Sequence, residues 1–126
     1  MSPSDTAQLP SHVYKILSDA PEAPLPHTLP LTPLDAQDGF IHLSTAGRTP
    51  ITASLYFGSE TTLWLLRIDT AAAQKEGAEF RWGDPGCVHL YAGRLGKGIV
   101  VGVQEVKRAE NGSWEAELGK EEFLSD

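Results

Sequence analysis

Two stretches of this chain alternate with a period of two, and that rhythm commits both to extended strands. Phe40-Ile41-His42-Leu43-Ser44 and Cys87-Val88-His89-Leu90-Tyr91 share one pattern: an apolar residue, a β-branched residue, histidine, leucine and a hydroxyl. Successive side chains of a strand point to opposite faces. His42 and Ser44 therefore share a face, as do His89 and Tyr91, while Ile41 with Leu43 and Val88 with Leu90 line the other. If the two strands are neighbours, two imidazoles and two hydroxyls converge on one cleft.

The remaining punctuation is that of a small mixed fold. Val13–Leu17 is β-branched and aromatic, and reads as the first strand. Pro21, Pro24, Pro26, Pro30 and Pro33 crowd the next stretch, too densely for a regular helix or a central strand. An ordered loop is predicted over 21–35, and a loop of that length in a small domain tends to carry function. Asp38-Gly39 then turns the chain into the first histidine strand. Thr49 as cap, Pro50 in the first turn, an apolar face of Ile51 and Leu55 with Ser54, and a stop at Gly58 predict a helix. Thr61–Ile68 is the most apolar segment and reads as a buried central strand. Asp69 or Thr70 caps a short Ala-rich helix ending near Gly77. Val101 and Val103 read as core positions of a strand over Ile99–Lys107. Asn111-Gly112 predicts a hairpin that returns it through Ser113–Leu118, with Trp114 packing across. Residues 1–11 read as a flexible leader to a single domain over 12–126. Several strands with two or three short helices, lacking regular βαβ spacing, predict an α+β fold with a mainly antiparallel sheet.

Charge and cysteine count remove several function classes. The 126 residues carry a formal net charge of −7 and no basic stripe, which argues against a nucleic-acid partner. Cys87 is the lone cysteine, so an internal disulfide and a Cys-rich zinc site are both excluded. Its neighbour of interest is His89, on the same face, although a small buried hydrophobe is the ordinary role of a lone cysteine. No apolar run approaches the length of a membrane span, and the start of the chain has no signal-peptide core, which together predict a cytoplasmic protein without a membrane partner. Dinucleotide-binding and phosphate-loop glycine motifs are absent.

The chemistry that remains centres on His42 and His89. Histidine exchanges protons near neutrality and binds metal when neutral. Two histidines with Asp38 could form a two-His, one-carboxylate site, but the short spacings that mark such sites are missing, so no metal is assigned. Ser44 and Tyr91 are the hydroxyls placed to hold a substrate or cofactor. Arg48 and Arg94, each following a histidine strand, could anchor a phosphate or carboxylate, and Trp82 could wall a pocket.

Four blocks carry a family resemblance: Tyr14-Lys15-Ile16-Leu17, then Asp38-Gly39-Phe40-Ile41-His42-Leu43-Ser44-Thr45, then Leu65-Leu66-Arg67-Ile68-Asp69, then His89-Leu90-Tyr91 with Gly93-Arg94-Leu95. In this order they resemble the DUF952 family. That resemblance implies a fold like the ADP-ribosyltransferases, a split sandwich of two small antiparallel sheets around an NAD cleft. His42 and Ser44 match that superfamily's His-x-Ser motif for the NAD ribose. Tyr56, Tyr91 and Trp82 compete for the aromatic that packs on nicotinamide, and Glu105 is the acidic candidate on a late strand. Two positions depart from the family pattern: Val88 stands where proline often precedes the second histidine, and Gly83 where glutamate often follows the tryptophan.

Three readings follow. The first is a small-molecule enzyme with NAD or ADP-ribosyl chemistry. The second is an NAD-independent acid–base enzyme (lyase, isomerase or hydrolase) using His42 and His89. The third is a non-catalytic small-molecule binding module.

Overall fold

The computed structural model describes residues 8–125, in which six strands and four short helices follow one another along the chain. The strands are β1 (His12–Leu17), β2 (Ile41–Ser44), β3 (Thr62–Asp69), β4 (Glu79–Trp82), β5 (Cys87–Ala92) and β6 (Val100–Lys107). The helices are α1 (Pro33–Asp38), α2 (Thr49–Tyr56), α3 (Thr70–Lys75) and α4 (Trp114–Leu118). The fold is α+β. Its strands form one antiparallel sheet in the order β4-β5-β2-β1-β3-β6, where the resemblance implied two separate sheets.

That sheet has a thin seam. Six residue pairs join β1 to β3 and four join β2 to β5, but Tyr14 opposite Ser44 is the single pair between β1 and β2. Continued antiparallel pairing would set His42 opposite Ile16. The Asp35 carboxylate enters there instead. Its Oδ1 accepts from the His42 backbone N–H at 3.1 Å and its Oδ2 from Lys15 Nζ at 2.7 Å, while Lys15 Nζ also donates to the His42 carbonyl at 3.1 Å. Backbone groups buried in a sheet need partners, and here an ion pair supplies what the missing strand pairing would have given. Both residues are buried, with Asp35 only 2% exposed.

Asp35 reaches the seam because the proline-rich stretch is better ordered than its composition predicts. Pro33 opens α1, where a missing N–H costs nothing, and the Thr32 hydroxyl accepts from the Asp35 backbone N–H. The loop before it is clipped to the 95–97 turn by Leu29 N–H to the Leu95 carbonyl and Lys97 N–H to the Pro26 carbonyl. Gly96 permits this contact, since a Cβ there would lie 2.1 Å from the His27 carbonyl oxygen. The predicted loop over 21–35 is thus corrected at its end by a capped helix.

Each sheet face carries a core. Val13, Ile41, Leu43, Leu66, Ile68, Val88 and Leu90 form one with Ala73 of α3. Ile16, Leu63, Leu65 and Val106 form the other with Ala53 of α2 and with Trp114 and Leu118 of α4. The last element corrects the predicted hairpin. Ser113 caps α4 by accepting from the Ala116 N–H, Glu115 and Glu117 suit a helix N-terminus, and Trp114 and Leu118, four residues apart, bury one helix face. The Trp114 indole donates towards the Phe57 and Glu60 carbonyls. Without that hairpin partner β6 is an edge strand, and Val101 and Val103, expected in the core, are exposed.

Other local readings shift as well. Arg48 occupies the cap position of α2 without a side-chain cap bond. Thr49, Pro50 and Ala53 face inward, while the expected apolar face of Ile51 and Leu55 is exposed. Asp69 caps α3 as read, accepting from Ala72 N–H. Of the predicted leader, residues 1–7 lie outside the described residues, and the carbonyls of Pro10 and Ser11 accept from Thr70. Among the described residues no helix is long and apolar enough to cross a membrane.

Removing Asp35 strands a buried ammonium and the His42 backbone N–H. Asp35→Ala is expected to cost about 3–5 kcal/mol in urea unfolding, and Lys15→Met/Asp35→Leu to recover most of it. Burial pushes the Asp35 carboxyl upward, but its hydrogen bonds from Lys15 and His42 outweigh that and hold it below its ordinary value. Its contribution is therefore complete above about pH 4, the unfolded carboxylate range, and is lost as pH falls through the lower folded value. Chemical denaturation of wild type and Asp35→Asn between neutral and acid pH should converge at the acid end.

Candidate functional site

Antiparallel register sets His42 of β2 directly opposite His89 of β5, which puts both rings on one face with centroids 5.7 Å apart. Helices α2 and α4 pack on the β1–β3–β6 half of this face, so the histidines lie on a half-sheet surface that stays in contact with solvent. Phe40, on the same face by alternation, lies among the other rings. It stacks on His89 at 4.2 Å and lies 4.5 Å from His42 and 5.0 Å from Tyr91. Arg81 of β4, opposite His89 in register, places its guanidinium 4.6 Å over the Tyr91 ring.

The two imidazoles have different surroundings. His42 is clasped by carboxylates: Nδ1 is 2.6 Å from Asp35 Oδ1 and Nε2 is 3.0 Å from Asp38 Oδ2. Ionised carboxylates only accept, so satisfying both contacts requires a proton on each ring nitrogen, the arrangement of an imidazolium. Asp35 is rooted in the seam, whereas Asp38 stands at the end of α1 in solvent and is the partner that can move aside. His89 is held below the ordinary histidine value, chiefly by burial and then by the positive charge of His42, with Asp84 and Asp38 opposing. Its surroundings accordingly favour the neutral ring, which keeps a lone pair.

Gly83 makes room for that ring. A Cβ at this position would sit 2.6 Å from His89 Cε1 and 2.8 Å from Nε2, closer than real atoms approach. The imidazole lies against bare backbone, in the space that a side chain on residue 83 would need.

The remaining predicted site residues are scattered. Ser44 shares the histidine face but is buried, its hydroxyl 2.8 Å from that of Thr49, which donates to the Thr45 carbonyl. Tyr91 borders the aromatic cluster and is partly exposed. Arg48 rests its stem against Gly86, next to Cys87, and its Nε is buried without a hydrogen-bond partner. Trp82 is opposite Val88 in register and joins the core of the other face, so it does not wall the histidine site. Tyr56 is exposed at the end of α2 and joins none of the site's ring contacts. Arg94 is taken up structurally by Glu76 and the carbonyls of His27 and Lys97. Glu105 lies on the edge strand β6, with β1 and β3 between it and β2. Among the described residues no group of three His, Cys, Asp or Glu side chains could hold a metal ion. Asp35, Lys15, Phe40 and Arg81 are not singled out as site residues by the sequence, where only Phe40, in alternation with His42, leaves a signal, and Gly83 stands out only as a departure from the family pattern.

The model of the family described as "Protein of unknown function (DUF952)" matches residues 20–103. The chain belongs to that family. Among solved structures, this DUF952 protein is similar to protein CC0527 from Caulobacter crescentus, with 28% identity and a TM-score of 0.65 over 81% of this chain and 91% of that one. A double mutant of CC0527 gives 29% identity and a TM-score of 0.64 at the same coverage. No curated protein matches. The family's sequence block around His42 thus coincides with the seam, while Gly83, just after β4, departs from the expected glutamate at a position where a Cβ would meet the His89 ring.

Two outcomes check this geometry. Gly83→Ala should push His89 off Phe40 while the fold survives, so the His89 Cε1–H resonance loses its ring-current shift with an unchanged far-UV spectrum. In His42→Gln the like charge is gone, and the His89 titration midpoint, followed by NMR, should rise toward the ordinary value.

Proposed function

We propose that this DUF952 protein is a small-molecule enzyme that moves protons between His42 and His89, as a lyase, isomerase or hydrolase, with residues 12–126 acting as one domain. The observation that carries it is the unequal pair: one imidazole clasped by two carboxylates, directly opposite one whose surroundings disfavour charge. Two imidazoles in such different settings, one between carboxylates and one held below its ordinary value, supply an acid and a base side by side. His42 is the acid and His89 the base. Asp35 orients His42 through Nδ1, and Asp38 yields Nε2 to the substrate. Phe40 and Tyr91 give a flat apolar edge, and Arg48 supplies positive charge, with Arg81 shared with Glu79, which suits a small anionic substrate such as a carboxylate.

NAD or ADP-ribosyl chemistry is a second reading. The single residue pair across the β1–β2 seam favours kinship with the split-sandwich scaffold of ADP-ribosyltransferases. The Ser44 hydroxyl, already engaged with Thr49, weakens the ribose contact that such chemistry would use.

Deuterium incorporation separates the two. A panel of small carboxylates incubated with the protein in D2O should include one that gains deuterium at carbon. Its rate should follow a bell-shaped pH profile that loses one limb in His42→Gln and the other in His89→Gln. Absence of exchange, together with NAD-induced NMR shifts at β2 that vanish in Ser44→Ala, would replace the acid–base reading by the second.

A further inference from the structure

A second concave feature lies away from the histidine pair. This cavity of about 650 Å³ is lined by Phe80 and Trp82 of β4 together with His12, Asp69, and Thr70 and Gln74 of α3. Volumes of this size accommodate small organic ligands. Both aromatics belong to the core on the face away from His42 and His89, so this cavity is separate from the proposed proton-transfer site.

Its lining selects a chemistry. Two aromatic side chains on one strand favour a flat partner. No Lys or Arg lines the space and Asp69 is its one charged residue, so an anion finds no counter-charge there, whereas a neutral or cationic ring does. Asp69 Oδ1 and the Thr70 hydroxyl are already committed, to the Ala72 N–H and the Pro10 carbonyl. His12 differs. Its Nδ1 is buried with no hydrogen-bond partner, an exceptional condition for a polar atom in a folded protein, and its residue lines the cavity. Gln74, exposed on α3, adds an amide at the rim.

We infer that this cavity is a second small-molecule site, which takes a flat, uncharged or cationic nitrogen heterocycle between the β4 aromatics and His12. Turning the His12 ring, whose Nδ1 is closed off from solvent, towards the cavity lets the heterocycle supply the hydrogen-bond partner that this nitrogen lacks. The two faces of the sheet then discriminate by charge: the histidine face carries arginines, and this cavity carries none.

The test is an NMR titration of the full chain with adenine and, separately, with adenosine monophosphate. Adenine should give saturable shifts at the Trp82 indole N–H and the Thr70 and Gln74 amides, and the monophosphate should bind at this cavity at least about tenfold more weakly. His12→Leu should weaken adenine by a similar factor. Ala71→Trp, which fills the space from an exposed helix position, should abolish binding without touching the sheet. No saturable shift with adenine at millimolar concentration would overturn the inference. So would shifts confined to the His42–His89 face, or binding that survives in a folded Ala71→Trp variant.

Discussion

The Asp35 carboxylate holds this molecule together at the point where its sheet would otherwise come apart. β1 and β2 meet at one residue pair, and one step further the polar backbone of His42 faces a gap. Asp35 fills that gap with Lys15. Desolvating two charges is costly, and it is offset only when each charge finds good partners. Here Asp35 receives Lys15, the His42 N–H and the His42 ring, while Lys15 also holds the His42 carbonyl. A well-packed apolar pair could take over the packing role. It could not hold the imidazole, so the ion pair ties the stability of the seam to the orientation of the candidate acid.

From that seam follows an unequal distribution of cover. On one face apolar residues of all six strands pack together, with α3 and the clipped proline-rich loop closing over them. On the other, α2 and α4 cover the half-sheet containing β3 and β6 and leave β2, β5 and β4 uncovered. The histidines are accessible because the helices stop short of them, and the aromatic cluster around Phe40 provides their local packing. Strand parity, meanwhile, sends Trp82 through to the opposite side, where it walls a cavity of different charge. One sheet thus presents two surfaces of different charge, separated by a single layer of backbone.

Much of this was legible in the chain, for reasons that differ by residue. The matched alternation around His42 and His89 gave their common face, because strand parity is a local property. Asp69 was readable as a cap for the same reason. The α4 error arose where two local signals competed: Asn111-Gly112 is a hairpin turn in sequence, but Ser113 followed by Glu115, with Trp114 and Leu118 four apart, is a helix start, and burial of Trp114 decided it. Asp35 was invisible as a site residue because its role needs Lys15 twenty positions earlier and His42 seven later. Gly83 was noticed only as a departure from a family pattern, since nothing local says that a ring will lie against it.

The sequence by itself determined which side chains share a face, where strands and most helices begin, and that two histidines with hydroxyl neighbours lie on extended chain. These follow from backbone periodicity and from caps, which act over a few residues. Only the tertiary structure decided that the two histidine strands are neighbours in register, that the Ser44 hydroxyl is spent on Thr49 while the His42 ring remains accessible, and that Trp82 serves the other face. Those outcomes depend on which distant segments bury each other, and on which polar groups are left to find partners once they do. That competition is settled by desolvation across the whole fold, and no short stretch of the chain contains it.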